Sequence, residues 1–156
     1  MTRAAARVGD VVVVCGPIGA SAAGLALLQA GVLDGPLVDL HRRPSPAYAL
    51  GPVLAGLGAT SMCDVSDGLA VDLGHLATAS GVAMEIDTAA VPRLAGVSLD
   101  QALRGGEDHV LVATVPLAAV EQLADLGVVG IGRVRAGAGV RDLAGNPLVG
   151  GWEHFA

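Results

Sequence analysis

Thr60-Ser61-Met62-Cys63-Asp64-Val65-Ser66-Asp67-Gly68-Leu69 opens a stretch that changes its periodicity within a few residues and runs on to Gly81. Thr60 to Asp64 reads as the end of a strand. Leu69, Leu73 and Leu76 then recur at helical spacing, and Gly81 supplies the stop. A strand that leads through an acidic turn into a helix is the mark of a mixed α/β chain, and the flanking sequence repeats the alternation. Upstream, the β-branched run Asp10 to Cys15 ends at Gly16-Pro17-Ile18-Gly19, and Ser21 is placed to cap an Ala/Leu helix that stops at Gly31. A loop through Gly35-Pro36 and the basic segment His41-Arg42-Arg43-Pro44 follows, then a weaker helical stretch from Ser45 to Leu57 that Pro52 is expected to kink.

Downstream, Val82 to Asp87 predicts a strand and Ser98-Leu99-Asp100-Gln101 has the form of a capping box. Val110 to Val115 predicts a strand after Gly105-Gly106, and Pro116 to Leu126 a helix ended by Gly127. Val128 to Val149 reads as hairpin strands around the Ala144-Gly145-Asn146-Pro147 turn. The expectation is an α/β fold of the α+β kind, a mixed sheet with packed helices, in which residues 1–156 form a single domain without internal repeats.

Composition narrows the function classes. Hydrophobic residues make up 53% of the 156 residues but aromatic ones only 2%, so the core is aliphatic and Tyr48, Trp152 and Phe155 stand out as rare large contact surfaces. A net charge of −6 without any Lys/Arg run argues against nucleic acid as a partner, because that affinity comes from clustered cations. An acidic protein still binds phosphorylated ligands when a divalent metal supplies the positive charge. No stretch approaches the roughly 20 apolar residues that span a membrane, and Met1-Thr2-Arg3-Ala4 lacks a signal-peptide pattern, so no membrane partner and a cytoplasmic location are expected. Cys15 and Cys63 end apolar runs and fit no zinc spacing; both read as small core residues.

Three places bring chemistry-bearing residues together. In Asp64-Val65-Ser66-Asp67-Gly68, two carboxylates and a hydroxyl crowd a helix N-terminus: Ser66 or Asp67 serves as an N-cap, which leaves Asp64 unexplained, or Asp64 and Asp67 offer hard oxygens to magnesium. Asp72, further along the helix, reads as solvated, so Asp64→Asn is expected to harm magnesium-dependent chemistry more than Asp72→Asn. In Gly105-Gly106-Glu107-Asp108-His109, adjacent strand residues would face opposite sides, so Glu107 and Asp108 cannot share one ligand if the strand has begun. Both then read as a solvated lead-in, and His109 as a packed or surface histidine. In Gly150-Gly151-Trp152, the single tryptophan is either a tail anchor or a flat stacking surface for an aromatic or cationic ring. The glycine loop Gly16 to Gly24 matches neither the dinucleotide fingerprint nor the Walker loop and reads as a structural turn.

Taken in order, Gly19-Ala20-Ser21-Ala22-Ala23-Gly24-Leu25, Asp64-Val65-Ser66-Asp67-Gly68-Leu69, Gly105-Gly106-Glu107-Asp108-His109 and Gly151-Trp152-Glu153-His154-Phe155 resemble the C-terminal domain of thiamine-monophosphate kinases. These belong to the superfamily of aminoimidazole ribonucleotide synthetase. The resemblance implies the C-terminal domain of that synthetase-like fold, and transfer of a phosphoryl group from ATP to thiamine phosphate, giving ADP and thiamine diphosphate. It further implies that Asp64 and Asp67 ligate Mg²⁺, that Ser66 contacts ATP, and that Glu107 and Trp152 contact thiamine phosphate. No catalytic nucleophile is implied, since in-line transfer rests on positioning and on neutralising phosphate charge. The family's N-terminal ATP-binding and dimerisation domain, through which its members form homodimers, has no counterpart in these residues, so the chain is expected to be inactive alone. Two departures stand out: Ala20 occupies a position where the family usually has Asp, and Pro52 falls in a helix that is usually continuous. The competing expectations are a non-catalytic ligand-binding or assembly module, and another phosphoryl-transferring synthetase of the same superfamily.

Overall fold

A computed structural model describes residues 1–152, and its framework is set by the β-branched runs. In chain order the elements are β1 (Val11–Val14), α1 (Ala20–Gln29), α2 (Pro36–Arg42), α3 (Leu50–Gly56), β2 (Ser61–Asp64), α4 (Leu69–Ser80), β3 (Ala83–Ile86), α5 (Leu99–Arg104), β4 (Leu111–Val115), a 3-10 turn (Leu117–Ala119), α6 (Val120–Ala124), β5 (Val129–Arg135) and β6 (Gly139–Asp142). Six strands form one sheet in the order β2-β4-β1-β5-β3-β6. All neighbours are antiparallel except β3 and β6, which run parallel. This is the mixed α/β architecture expected from the sequence.

Burial follows position in the sheet. Every residue of β1 and β4 is buried, which is why both read as unbroken apolar runs rather than alternating ones. β2, at the edge, alternates between buried and half-buried residues. The aliphatic core is completed by Leu69, Leu73 and Leu76 of α4, Ile86 of β3 and Ile131 of β5, all fully buried. Each such side chain contributes about 1.5–3 kcal/mol relative to exposure, so α4 is fastened to the sheet by the leucine spacing that identified it. Cys15 and Cys63 are buried and unpaired, and burial pushes their thiols up to about 11 and about 12. No helix of the described residues is long and apolar enough to cross a membrane.

Several local expectations are corrected. Pro36 opens a separate helix, α2, where a loop was read; proline is favoured at a first helical position because its missing N–H has no partner there. The weaker helical stretch begins only at Leu50, so Pro52 falls within the first turn of α3 and does not kink it. The hairpin expected around the Ala144-Gly145-Asn146-Pro147 turn is present as an antiparallel bridge between Arg141 and Pro147, with the Leu148 amide donating to the Val140 carbonyl at 2.9 Å, but the consecutive strands β5 and β6 do not pair with each other. β5 already lies between β1 and β3, and the chain crosses to the free edge of β3 to lay down β6. The capping box at Ser98 and Gln101 is present in both directions, at 3.1 and 2.9 Å. Glu153, His154 and Phe155, part of the sequence block that ends the chain, lie outside the described residues.

Candidate functional site

The strand β2 ends at Asp64, and Val65 to Gly68 form the turn into α4. Gly68, the N-cap position, offers no side chain to the free amides. Asp72 supplies the acceptor instead: the Ser66 and Asp67 amides donate to its Oδ2 at 3.1 and 3.0 Å. A helical side chain leans back toward the N-terminus of its helix, which carries a carboxylate in the first turn under the preceding loop. Asp72 is only 1% exposed, so the expectation of a solvated residue is overturned. Burial raises its pKa, and the Asp67 and Ser66 amides and the nearby His75 partly offset that. His75 Nδ1 lies 3.6 Å from Asp72 Oδ1.

The two candidate metal ligands part company here. Asp67 offers a ligand atom within 4.8 Å of atoms from Asp72 and His75. Asp64 turns to the neighbouring loop, with Oδ2 3.4 Å from His109 Nδ1, while His109 Nε2 lies 3.4 Å from Glu107 Oε2. His109 therefore bridges two acids, which neither the packed nor the surface reading anticipated. Asp64 and Asp67 both remain partly accessible. As partly accessible carboxylates they are the hard oxygen donors that magnesium takes, few at a time, while it keeps the rest of its shell.

The Gly105–His109 segment runs beside the acidic turn and is stitched to it. The Val65 amide donates to the Val110 carbonyl at 2.8 Å, the His109 amide to Val65 at 2.9 Å, and the Glu107 amide to Ser66 at 2.8 Å. β4 begins only at Leu111, so the acids belong to a loop, where strand alternation does not apply. Glu107 and His109 take the left-handed backbone region, φ 65° and 55°, a conformation that costs non-glycine residues on the order of 1–3 kcal/mol. The result is that Glu107 points outward, its side chain 72% exposed, and Asp108 points inward, 7% exposed.

Asp108 closes the third side. Its Oδ2 accepts from the Gly19 amide at 2.6 Å and its Oδ1 from the Ser21 amide at 2.9 Å. The start of α1 is thus capped from another part of the chain, and the N-cap is Gly19 rather than Ser21. Gly19 lies at φ 88°, and a Cβ there would fall 2.7 Å from the Ala102 amide nitrogen, so no other residue fits. Ser21, one residue inside the helix, uses its hydroxyl for a 2.9 Å hydrogen bond with His41 Nδ1 on α2.

Burial raises the Asp108 pKa, only partly countered by the Ser21 and Gly19 amides. A carboxyl raised above its unfolded value contributes stability that is complete below the ordinary carboxylate range and is lost as pH rises through the raised value. Asp108→Asn removes one acceptor, at a cost of about 1–3 kcal/mol, but also the buried charge. The parent is therefore expected to exceed the variant in melting temperature most at acid pH, with the gap narrowing as pH rises. Melting curves of both proteins from pH 4 to 8 check this; a gap that widens with pH contradicts it.

A cleft of about 450 Å³ opens over these loops, lined by Ser21, His41, Ser66, Arg104, Glu107 and Trp152 among others. Of the residues singled out in the sequence, Ser66, Glu107 and Trp152 come together on its wall, while Asp64 and Asp67 flank Ser66 without lining it. Trp152 is 66% exposed, and its amide donates to the Asp67 carbonyl at 2.8 Å. This backbone bond ties the tail to the acidic turn, and Trp152 lines the cleft. Sequence reading missed Asp72, Asp108 and the Ser21–His41 pair. For Asp72 a signal existed: it falls between Leu69, Leu73 and Leu76 on the face of α4 that enters the core.

Residues 7–142 match the family described as AIR synthase related protein, C-terminal domain. The thiamine-monophosphate kinase of Halobacterium salinarum is 45% identical over 166 residues, covering 99% of this chain and 56% of the relative. That of Mycobacterium tuberculosis (strain ATCC 25618 / H37Rv) is 42% identical over 125 residues, covering 71% and 37%. Among solved structures, AaThiL complexed with AMPPCP and TMP aligns with a TM-score of 0.88 and 34% identity over 98% of this chain and 53% of that one. The chain spans about half the length, or less, of the relatives it matches. The family match from Arg7 to Asp142, with the likeness in sequence and structure to these relatives, makes one conclusion: the chain belongs to the AIR synthase related family, as a C-terminal domain similar to that of the thiamine-monophosphate kinases.

Proposed function

We propose that this chain forms the acceptor-binding side of a thiamine-monophosphate kinase. The observation that carries the reading is the convergence of Ser66, Glu107 and Trp152 on one cleft from three separate parts of the sequence. Thiamine phosphate joins a flat cationic ring system to a phosphate. The exposed indole of Trp152 offers that ring a stacking face, and the Glu107 carboxylate offers its positive charge an acceptor. Ser66, at the acidic turn, contacts ATP where the two substrates meet. In the reaction, a phosphate oxygen of thiamine phosphate forms a bond to the γ-phosphorus of ATP as the bond from that phosphorus to the bridging oxygen breaks, leaving ADP. No side chain enters the covalent change; the residues position the reactants and exclude water.

Asp64 and Asp67 would hold Mg²⁺ beside this cleft, where it would neutralise phosphate charge. The remaining ATP contacts and the homodimer interface come from an N-terminal domain that completes the cleft, in a cytoplasmic enzyme. The test uses a chimera in which this chain replaces the matching part of the Halobacterium salinarum kinase. Asp64→Asn is expected to shift the magnesium dependence of turnover to higher concentration and to lower its plateau, because a hard anionic ligand is lost. Asp125→Asn, an exposed acid far along the sequence, is the neutral control, a part the buried Asp72 cannot play. Superimposable magnesium titrations of the two variants and the parent remove Asp64 from the site.

A further inference from the structure

We propose that Asp72 is the positioning residue of the cleft: its carboxylate fixes the Ser66–Asp67 backbone, and that backbone in turn sets Glu107 and Trp152. The two residues face both ways. Inward, the Ser66 and Asp67 amides donate to Asp72 Oδ2. Outward, the Ser66 carbonyl accepts from the Glu107 amide and the Asp67 carbonyl from the Trp152 amide, both at 2.8 Å. Removing the inner acceptor leaves two part-buried donors without that partner, and the turn that relaxes to recover them carries both outer carbonyls with it.

Neither Gly68 nor Asp64 takes this part. The N-cap Gly68 has no side chain, and Asp64 is directed toward His109. Asp72 stands in the first turn of α4, where a negative charge also meets the positive end of the helix. Its burial, among the core leucines of the same helix face, holds the carboxylate in one place. Asp72 touches neither the cleft nor any reacting atom, so it acts through the loop. The roles of Glu107 and Trp152 toward substrate rest on the function proposed above; their placement by Asp72 does not.

The experiment separates the hydrogen-bond acceptor from the volume it fills. Asp72→Asn keeps one oxygen able to accept from both amides, whereas Asp72→Leu fills the space and accepts nothing. Amide hydrogen exchange is followed by NMR in this chain, without ligand. In Asp72→Leu the Glu107 and Trp152 amides are expected to exchange at least roughly tenfold faster while those of β1 and β4 keep their protection, and Asp72→Asn is expected to stay near the parent. Unchanged protection at Glu107 and Trp152 in a folded Asp72→Leu protein overturns the proposal, and so does equal loss in both variants. If Asp72→Leu fails to fold, the parent alone decides. Ser66 and Asp67 amides protected as well as those inside α4 support Asp72 as their acceptor, and exchange at open-loop rates refutes it. Titrating the parent with thiamine phosphate and following the same amides tests the functional reading separately, since its failure leaves the exchange result intact.

Discussion

Gly106→Ala is expected to destabilise the chain by about 1–3 kcal/mol, the usual range for forcing a methyl into a filled space, and to loosen the cleft with it. A Cβ at this position would lie 2.3 Å from the Ser66 carbonyl oxygen, inside any possible contact. That oxygen cannot retreat without breaking its bond from the Glu107 amide, 2.8 Å long. The substitution therefore strikes the seam between the two site loops, and the strain passes to Glu107, whose backbone is already in the left-handed region. Gly74→Ala is the control: nothing lies within 4 Å of its added methyl, and alanine favours a helix over glycine by up to about 1 kcal/mol. Urea denaturation of the parent and both variants reads the result. A lower midpoint for Gly106→Ala beside an equal or higher one for Gly74→Ala is expected; a Gly106→Ala midpoint equal to the parent's would mean that the loops are not joined there.

This chain, taken by itself, is expected to fold but to release no ADP from ATP in the presence of magnesium and thiamine phosphate. Folding follows from β1 and β4, buried on both faces without help from another domain, and from an α4 that caps its own acidic turn. Inactivity follows from the proposal that a second domain completes the cleft. Holding two reactants and a metal in line accounts for roughly 7–11 kcal/mol of barrier lowering, and half of the holding surface cannot supply it. A coupled ADP-release assay on the chain, then on the chain mixed with the complementary part of the Halobacterium salinarum kinase, is the check. Turnover by the chain alone would refute the half-site account. Restored turnover in the mixture is expected; failure of the two parts to bind would favour a separate ligand-binding or assembly role.

The parts of the fold that the sequence made legible are those in which local chemistry and tertiary position agree. The leucines of α4, the Ser98–Gln101 capping box and the β-branched runs of β1 and β4 each signal an element that the core then uses as written. What could not be read was decided by pairing at long range. Nothing local in Val128–Val149 says that β5 will be enclosed by β1 and β3, and that enclosure is what sends β6 to the outer edge. The site divides in the same way. Ser66, Glu107 and Trp152 carry a recognisable pattern, and the cleft brings them together. Asp72 and Asp108 do not, because a buried carboxylate is explained only by its donors. For Asp108 these lie almost ninety residues away, at Gly19 and Ser21. Ala20, at the position where the family resemblance leads one to expect an acid, sits between those two donors, so the cap on α1 stands without it.

The central claim, that the Trp152 wall of the cleft receives the thiamine ring, is tested most directly by steady-state kinetics of Trp152→Ala in the chimeric kinase. A cation held against an indole face is worth about 0.5–2 kcal/mol, equivalent to roughly a 2- to 30-fold change in an equilibrium constant. The Trp152 amide donates to the Asp67 carbonyl, a backbone bond that truncation to alanine is expected to leave in place. The account predicts that the KM for thiamine phosphate rises by such a factor while the KM for ATP and the melting temperature stay near those of the parent. A variant in which both KM values move together, or in which only the melting temperature falls, would contradict it and make Trp152 a tail anchor.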